Sequence, residues 1–209
     1  MKVLIACEES QVVCMAFRNK GHEAYSCDLQ ECSGGYPQFH INSDVTKIIG
    51  GSTVFLTQDG IWHSIDKWDL IIAHPPCTYL TNGGAVQMFR NEKKLYEGYG
   101  EFQMVNVERV KKMIVARDFF LMMLNANANK VAIENPVPMG LCMLPKETQV
   151  IQPYEFGDPY SKKTYLWLKG LKPLKPTNVL TEYQPLINGG GGRLERENYK
   201  GKKIRSRKC

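Results

Sequence analysis

The sequence predicts an α/β fold with a mostly parallel β-sheet flanked by helices. Three observations support this fold class: strand-like and helix-like stretches alternate along the chain, the links between them are short, and the composition is that of a globular protein, with 43% hydrophobic and 23% charged residues. A chain of 209 residues fits one domain with a buried core. No apolar run reaches the roughly 18 residues that a membrane-spanning helix needs.

The elements are predicted from the periodicity of apolar residues and from turn signals. The predicted strands are 3–6, 22–27, 39–42, 69–73, 130–133, 148–152 and 164–168. A helix is predicted over 11–20, ended by Gly21 in a left-handed cap. A second helix is predicted over 103–124, on an apolar stripe formed by Val107, Val110, Ile114, Leu121 and Leu124. Residues 50–68 predict a β-hairpin insert around Asp59-Gly60, and the polar stretch 82–101 predicts a long loop.

The positive charge of the chain is concentrated at its C-terminal end. Residues 193–208 contain eight Lys or Arg and two Glu, which equals the net charge of +6, so the remainder balances at 19 against 19. The preceding Asn-Gly-Gly-Gly-Gly, 188–192, predicts a flexible hinge. We therefore expect one domain over 1–187 and a hinge with a basic tail over 188–209. The tail can contact DNA phosphates, or it can be a solvated terminus.

The chain has seven cysteines, and their spacing argues against a disulfide framework and against a metal centre. Their number is odd and no Cys-x-x-Cys pair occurs, so no metal site is predicted. Cysteines without a disulfide pattern indicate a reducing cytoplasm. The first ten residues, MKVLIACEES, are too short and too soon acidic for a signal peptide.

Polar and reactive side chains follow the predicted strands, at the carboxyl ends where ligands bind in parallel sheets. These groups are Cys7-Glu8-Glu9-Ser10, Asp28, Asp44, Pro75-Pro76-Cys77 and Glu134-Asn135-Pro136. Two consecutive prolines cannot continue a sheet ladder, so the fourth strand ends at His74 and Cys77 lies on a stiffened turn. Such a turn can present a reactive thiol, or it can simply change the direction of the chain.

The acidic strand ends indicate a nucleoside ligand without a phosphate. Asp28 ends the second strand about 20 residues after the first turn, where a carboxylate can accept both hydroxyls of a ribose or close a local turn. Asp44, after the third strand, can accept an adenine amino group. The first turn contains no glycine, so a pyrophosphate is poorly accommodated. We expect S-adenosylmethionine as the cofactor. The residues expected to contact it are Glu8, Ser10, Asp28, Asp44 and Pro75.

Two motifs carry a family resemblance. DLIIAHPPCTYL, residues 69–80, followed by VAIENP, residues 131–136, resembles the motif pair of the cytosine-C5 DNA methyltransferases, in which one strand ends in Pro-Pro-Cys and a later one in Glu-Asn-Val. The stretch FGDPYSKKTYLW, 156–167, fits the family's Gly-x-Pro-Gln-x-Arg-x-Arg strand more loosely. Over nearly its whole length the chain is similar to small, single-domain methylase-like proteins of phages and prophages, which lack a target-recognition domain.

The resemblance implies a Rossmann-like, S-adenosylmethionine-dependent methyltransferase fold and a reaction at C5 of cytosine in DNA, for the modification of phage DNA in the cytoplasm of a bacterial host. It implies that the Cys77 thiolate adds to C6 of the base and that Glu134 hydrogen-bonds ring N3. The residues implied in substrate binding are Pro76, Asn135 and Lys162. In duplex DNA the base must be flipped out, and the stretch 82–101 is placed to close over it.

Several features depart from the family pattern. Only about 40 residues follow Leu168, where the family has a large target-recognition domain. We therefore expect low sequence specificity, a protein partner that supplies it, or a substrate other than duplex DNA. The first turn lacks the family's glycine. The chain ends at Cys209, where the family has a further helix, so we expect a shortened chain or a reduced function. No role is assigned to His74.

Two alternative functions stay open. Amino methyltransferases that act on adenine N6 or cytosine N4 resemble this fold, but they hold the amino group with an Asp/Asn-Pro-Pro-aromatic turn, which His74 and Cys77 match poorly. A non-catalytic nucleotide- or DNA-binding phage protein can keep the fold without the reaction. Replacement of Cys77 by serine separates the three functions, because only C5 transfer needs the thiol.

Overall fold

The structure, a computed structural model, describes residues 1–51, 53–96 and 100–185. Within these residues the strands are β1 (Lys2–Ala6), β2 (Glu23–Asp28), β3 (His40–Asn42), β4 (Val54–Leu56), β5 (Trp62–Ser64), β6 (Leu70–Ala73), β7 (Phe89–Tyr96), β8 (Gly100–Val105), β9 (Lys130–Pro136), β10 (Gln149–Ile151), β11 (Tyr160–Ser161), β12 (Thr164–Lys169) and β13 (Gln184–Pro185). The α-helices are α1 (Val12–Arg18), α2 (Thr46–Ile49) and α3 (Val107–Leu124). Short 3-10 helices cover Pro37–Phe39, Asn82–Met88, Gly140–Cys142 and Pro153–Glu155.

Seven strands form one sheet, in the order β10-β12-β9-β6-β1-β2-β3. The strands from β9 to β3 are parallel, and β12 runs antiparallel to both of its neighbours. The strand order reverses at β1, because the chain first adds β2 and β3 on one side and later adds β6 on the other. In sheets of this kind, ligands bind outside the carboxyl ends of the strands at such a switch point, which here lies between β1 and β6.

The central strands are buried on both faces, which explains why they are continuous apolar runs. Along β1, Val3 and Ile5 pack in a cluster with Cys14 of α1, whereas Leu4 belongs to a larger cluster with Phe120 of α3. All five side chains are fully buried. With a helical layer on each face, the sheet is a rigid support for the groups at its carboxyl edge.

The predicted fold class is confirmed, because the structure is a Rossmann-like α/β sheet, mostly parallel and flanked by helices. The seven predicted strands are present, and the hairpin insert is confirmed as the antiparallel pair β4 and β5. The chain turns after α1 at Gly21, whose φ is +78°. No helix among the described residues is long and apolar enough to cross a membrane. The predicted hinge and basic tail, 188–209, lie outside the described residues.

The prediction of a long loop over 82–101 was wrong for the described part of that stretch. A 3-10 helix, Asn82–Met88, comes first, and the antiparallel ribbon of β7 and β8 follows it. The ribbon continues to Val105, so α3 begins at Val107 rather than near residue 103. Because the ribbon contains charged residues such as Arg90, its apolar and polar residues do not alternate. A strand without this alternation cannot be recognised from the periodicity of its sequence.

The apolar stripe predicted for α3 was wrong in part. The fully or nearly fully buried side chains of this helix are Met113, Phe120 and Met123, whereas Val107 and Ile114 are exposed. Apolar residues surround the second half of the helix, so their spacing is compatible with more than one buried face. Packing against the sheet determines which face is buried, and the sequence of the helix alone does not specify this packing.

Gly170, directly after β12, occupies a backbone conformation that favours glycine. Its φ is +64°, and a Cβ atom there would overlap the carbonyl oxygen of Asn129. We expect Gly170→Ala to lower the free energy of unfolding by more than about 2 kcal/mol, from left-handed strain and steric overlap together. Gly21→Ala is the matched control, because its Cβ would meet no atom within 4 Å. Urea unfolding measures both, and equal midpoints would contradict the steric part of this prediction.

Candidate active site

The pairing of β6 with β9 brings the two sequence motifs to the same edge of the sheet. The parallel register sets Ala73 opposite Ile133, so that His74 and Glu134, the next residues, are neighbours. The His74 Nδ1 atom lies 3.7 Å from the Glu134 Oε2 atom, and the side chains are 32% and 28% exposed. Both titratable groups can therefore be reached by a ligand at the carboxyl edge.

The turn that carries Cys77 begins where the β6 ladder has to end. The His74 amide donates a hydrogen bond to the Ala6 carbonyl oxygen at 3.0 Å, and the next two residues are prolines, which have no amide hydrogen. Pro75 is buried against the protein, whereas Pro76 is exposed. Cys77 follows as a half-buried residue at the end of this stiff segment. The backbone that carries Cys77 is thus restricted just past the carboxyl end of β6.

The turn after Cys77 is bonded to the chain segment that follows β9. The Leu80 amide donates to the Cys77 carbonyl oxygen at 3.0 Å, which closes the turn. The Met139 amide donates to the Leu80 carbonyl oxygen at 2.7 Å, and the Asn82 amide donates to the Val137 carbonyl oxygen at 2.9 Å. The two motifs are therefore fixed relative to each other beyond the sheet as well as within it.

Glu134 and Asn135 point to opposite faces of the sheet, as successive residues of a strand do. Glu134 is partly exposed, whereas Asn135 is fully buried. The Asn135 Nδ2 donates to the Pro136 carbonyl oxygen at 2.6 Å, and its Oδ1 atom has no hydrogen-bond partner among the described residues. The predicted contact of Asn135 with a substrate stays a prediction, and this oxygen is the acceptor that such a contact would use.

Lys162 reaches the same edge through β12. Because β12 pairs antiparallel with β9 and Thr164 lies opposite Pro136, the residues just before β12 lie beside the carboxyl end of β9. The Thr164 hydroxyl donates to the Lys162 carbonyl oxygen at 3.0 Å, and the Lys162 side chain is half-buried. A cation is thereby located at the edge that carries Cys77 and Glu134.

The turn after β1 is built around a buried carboxylate. Glu8 is only 6% exposed, and its two oxygens accept hydrogen bonds from the amides of Val13 and Cys14, at 2.6 and 3.1 Å. The carboxylate thus satisfies amide groups at the start of α1, which otherwise lack partners. Both oxygens are used by the helix, and the predicted contact of Glu8 with a cofactor stays a prediction.

The rest of this turn packs against the loop that follows β2. Gln11 is fully buried, and its side-chain amide exchanges two hydrogen bonds with the Tyr36 main chain, at 2.8 and 3.0 Å. Gly34 lies so close that a Cβ atom there would be 2.6 Å from the Ser10 carbonyl oxygen. Ser10 is half-buried in this packed turn, and its predicted contact with a cofactor stays a prediction.

Two carboxylates surround Cys7 near the ends of β2 and β3. Cys7 follows β1 with a left-handed φ of 59°, and its amide donates to the Cys27 carbonyl oxygen at 2.8 Å. Burial, together with the negative charges of Asp28 and Asp44, raises the pKa of the Cys7 thiol to about 12. Hydrogen bonds from Thr46, including its amide at 2.9 Å from Asp44 Oδ1, lower the pKa of the Asp44 carboxyl group. Asp44 is therefore a stable anion at neutral pH.

Asp28 closes a local turn at the end of β2. The Gln30 amide donates to Asp28 Oδ1 at 2.9 Å, and the Asn42 side chain donates to the Leu29 carbonyl oxygen at 3.0 Å, which joins the same loop to β3. Both predicted roles of Asp28, the ribose contact and the local turn, are compatible with this geometry, because the turn uses one carboxylate oxygen. The predicted ribose contact stays a prediction.

The carboxyl edge therefore has two halves, one on each side of the switch point. The half formed by β1, β2 and β3 contains Cys7, Asp28 and Asp44, and the half formed by β6, β9 and β12 contains Cys77, Glu134 and Lys162. Pro75 and Pro76 lie between the end of β6 and Cys77. In the described part of the chain, no group of three or more His, Cys, Asp or Glu side chains could hold a metal ion.

Arg109 is a residue of this edge to which the sequence assigned no role. Its Nη2 atom donates to the Thr78 carbonyl oxygen at 3.1 Å, and its guanidinium carbon lies 5.0 Å from the centroid of the Tyr79 ring. A Cβ atom on Gly84 would lie 2.5 Å from the same Nη2 atom, so this glycine makes room for the guanidinium. The glycines within 82–84 were the sequence feature that could have indicated this close contact, but they predicted only a loop.

Among the comparisons with known proteins, only the comparison with solved structures found similar chains. No protein-family model matches the chain, and no curated protein matches it. A prophage-encoded E. coli protein, provisionally assigned as a DNA modification methyltransferase, is 13% identical with a TM-score of 0.41, over 80% of this chain and 46% of that one. A mutant of DNMT2 from Spodoptera frugiperda is 16% identical with a TM-score of 0.38, over 91% and 56% of the two chains.

This chain therefore spans about half the length of each of these two proteins, at 46% and 56%. Their TM-scores are too low to assign a function to it. The functional interpretation rests instead on the residues that the sheet brings together, above all the half-buried Cys77 and the partly exposed Glu134.

The two thiols of the carboxyl edge should differ in reactivity. Alkylation needs the thiolate, and with a pKa of about 12 roughly one Cys7 thiol in ten thousand is ionised at pH 8. We expect Cys7 to stay unmodified by iodoacetamide under conditions that alkylate Cys77, and to react only as the pH approaches 12. Peptide mass spectrometry after timed labelling measures both sites. Equal rates at Cys7 and Cys77 at pH 8 would contradict this prediction.

Proposed function

We propose that this protein is an S-adenosylmethionine-dependent methyltransferase that acts on C5 of cytosine in DNA. The observation that carries the proposal is the pairing of β6 with β9, which leads to Cys77 and Glu134 at one edge, beside the switch point of the sheet. A thiol and a carboxyl group are the two groups that chemistry at this carbon needs.

The proposed role of Cys77 is to make C5 nucleophilic. Its thiolate bonds to C6 of the base, and the electrons of the C5–C6 double bond shift through C4 toward ring N3, which receives a proton from Glu134. The ring is then an enamine with a nucleophilic C5. S-adenosylmethionine, when bound, supplies an electrophilic methyl group. After methylation a base removes the C5 proton, the C5–C6 double bond returns, the bond to sulfur breaks, and the N3 proton returns to Glu134.

His74 is proposed as the residue that positions Glu134. Its Nδ1 atom lies 3.7 Å from the Glu134 Oε2 atom, and its Nε2 atom is buried without a hydrogen-bond partner among the described residues. The imidazole thus lies against one oxygen of the carboxyl group and limits the orientations that the Glu134 side chain can adopt.

The half of the edge around Cys7 fits a positively charged nucleoside without phosphate. Asp28 and Asp44 are close enough to Cys7 for their charges to raise the pKa of its thiol. The same charges oppose a pyrophosphate and favour a sulfonium cation. We propose that Asp28 holds the ribose and Asp44 the adenine amino group of S-adenosylmethionine. The residues proposed to line the remainder of this site are Glu8, Ser10 and Pro75.

The proposed substrate is a cytosine that is flipped out of DNA toward Cys77. Pro76 and Lys162 lie near the carboxyl ends of β6 and β9, and we propose them, together with the buried Asn135 at the end of β9, as the contacts of this base. The basic residues of 193–208 are proposed to add phosphate contacts, and a protein partner to add sequence specificity. The motif resemblance to phage-encoded proteins supports the modification of phage DNA, in the host cytoplasm, as the setting.

Replacing Cys77 by serine tests the nucleophile. With labelled S-adenosylmethionine and unmodified mixed-sequence DNA, we expect the wild type to form 5-methyldeoxycytidine and Cys77→Ser to lose more than about 10³-fold of this activity. Cys32→Ser is the matched control, because Cys32 is a half-buried cysteine outside both motifs, and it should keep the wild-type rate. Formation of N6-methyladenine or N4-methylcytosine by all three proteins would refute the thiol mechanism. A folded wild type that methylates no base would favour a binding protein.

Replacing Glu134 by glutamine tests the acid. Glutamine keeps the size of the side chain but cannot transfer a proton to N3, so we expect the single-turnover rate to fall by about 10²–10⁴-fold. Affinity for DNA should change little, because the amide can still donate a hydrogen bond. Glu182→Gln, at an exposed site outside both motifs, should keep the wild-type rate. An unchanged rate in Glu134→Gln would exclude this carboxyl group as the acid.

A further inference from the structure

A pocket that the proposed reaction leaves unused lies beside the turn that carries Cys77. Its volume is about 180 Å³, and it is lined by Tyr79, Gln87, Asn106, Glu108, Arg109 and Lys112. One water occupies about 30 Å³ of liquid, so a group of several atoms fits. Tyr79 is two residues after Cys77, and at about 3.8 Å per residue their Cα atoms are at most about 7.6 Å apart. The pocket thus adjoins the chain segment that carries Cys77.

The pocket carries an excess of positive charge. The guanidinium carbon of Arg109 and the ammonium nitrogen of Lys112 lie 5.0 and 5.7 Å from the centroid of the Tyr79 ring. Glu108 forms an ion pair with Lys111 at 3.0 Å, so its charge is already balanced by a cation outside the pocket. Among the described side chains, no carboxylate forms an ion pair with Arg109 or Lys112. Two cations therefore line the same small space with one carboxylate, Glu108, which pairs with Lys111 among the described residues.

One polar atom of the pocket wall lacks an acceptor. Arg109 uses Nη2 for the Thr78 carbonyl oxygen, but its Nε atom is buried and has no hydrogen-bond partner among the described residues. A buried donor of a charged group without an acceptor is unfavourable. The Arg109 guanidinium lines this pocket, and guanidinium groups bind the oxygens of phosphate in paired geometry.

We propose that this pocket binds a phosphate group of the nucleic-acid substrate, adjacent to the nucleotide that reaches Cys77. The inference rests on the proposed function and extends it to the substrate backbone. Arg109 links the two sites, because the guanidinium that would hold the phosphate also holds the carbonyl oxygen of Thr78, one residue after the nucleophile. Phosphate binding would therefore stabilise the turn in the arrangement that the thiol needs. The phosphate of a free nucleotide has the same chemistry, and the test separates the two sources.

The test measures binding of a fluorescent single-stranded oligodeoxynucleotide to the full chain over a range of salt concentrations. Each phosphate contact to a single strand contributes about 0.7 to the slope of log affinity against log salt. We expect Lys112→Ala to lower this slope by about 0.7 and to weaken binding several-fold at low salt. Lys67→Ala is the matched control: it removes the same charge from an exposed lysine just before β6, at the opposite edge of the sheet, and should leave the slope unchanged.

A competition experiment identifies the source of the phosphate. If the pocket holds a backbone phosphodiester, deoxycytidine monophosphate should displace the oligonucleotide no better than deoxycytidine does. If the monophosphate competes better than the nucleoside in the wild type, and loses this advantage in Lys112→Ala, the pocket is a phosphate site for a free nucleotide. The first pattern supports a backbone phosphate site when the salt slope depends on Lys112, and contradicts any phosphate site when it does not; the second pattern supports the site by itself.

Equal slopes for Lys112→Ala, Lys67→Ala and the wild type would overturn the inference, as would a folded wild type that binds neither oligonucleotide nor nucleotide. The measurement does not depend on methyl transfer, so the two proposals fail separately. A Lys112-dependent slope without methylation would contradict the proposed reaction and leave the phosphate site supported. Methylation that requires Cys77, combined with equal slopes, would contradict the phosphate site alone.

Discussion

The candidate site depends on the parallel pairing of β6 with β9. The pairing sets His74 beside Glu134, and hydrogen bonds between the segments that follow the strands, such as that from Met139 to Leu80, continue it past the sheet. Two prolines interrupt the ladder after His74, so the chain leaves the sheet at this residue. At Leu80 it is hydrogen-bonded again to the segment that follows β9. Cys77 lies in the interval. A shift of one residue in the register would turn Glu134 to the opposite face and separate the pair.

Charge is distributed unevenly along the carboxyl edge, and this distribution relates the two ligands that we propose. The half near Cys7 contains Asp28 and Asp44, whereas the half near Cys77 has cations, including Arg109 and Lys162. A sulfonium cofactor and a polyanionic substrate differ in the sign of their charge, so each is favoured in one half and disfavoured in the other. The switch point between β1 and β6 is the place where the two would meet.

The sequence predicted the sheet better than it predicted the details of the site. Apolar runs at the strands identified the sheet, and the rule that ligands bind at carboxyl ends placed Cys77 and Glu134 together. Glu8 was predicted only as a ligand contact, because nothing local shows that its carboxylate accepts amide hydrogen bonds from α1. Arg109 was missed, because its partner Thr78 is 31 residues away. Local patterns report local structure, and these contacts depend on how distant segments pack.

The hydrogen bonds that fix the Cys77 turn join segments that are far apart in the chain, as between Met139 and Leu80. Closing such long loops costs conformational entropy, which is repaid only when the segments that they join pack together. The final shape of the turn therefore depends on the docking of β9 against β6. A nascent or partly unfolded chain would have the cysteine without its carboxyl partner. Chemical competence is in this sense a property of the complete fold, because incompletely folded molecules would not bring together the thiol and the carboxyl group that the proposed reaction requires.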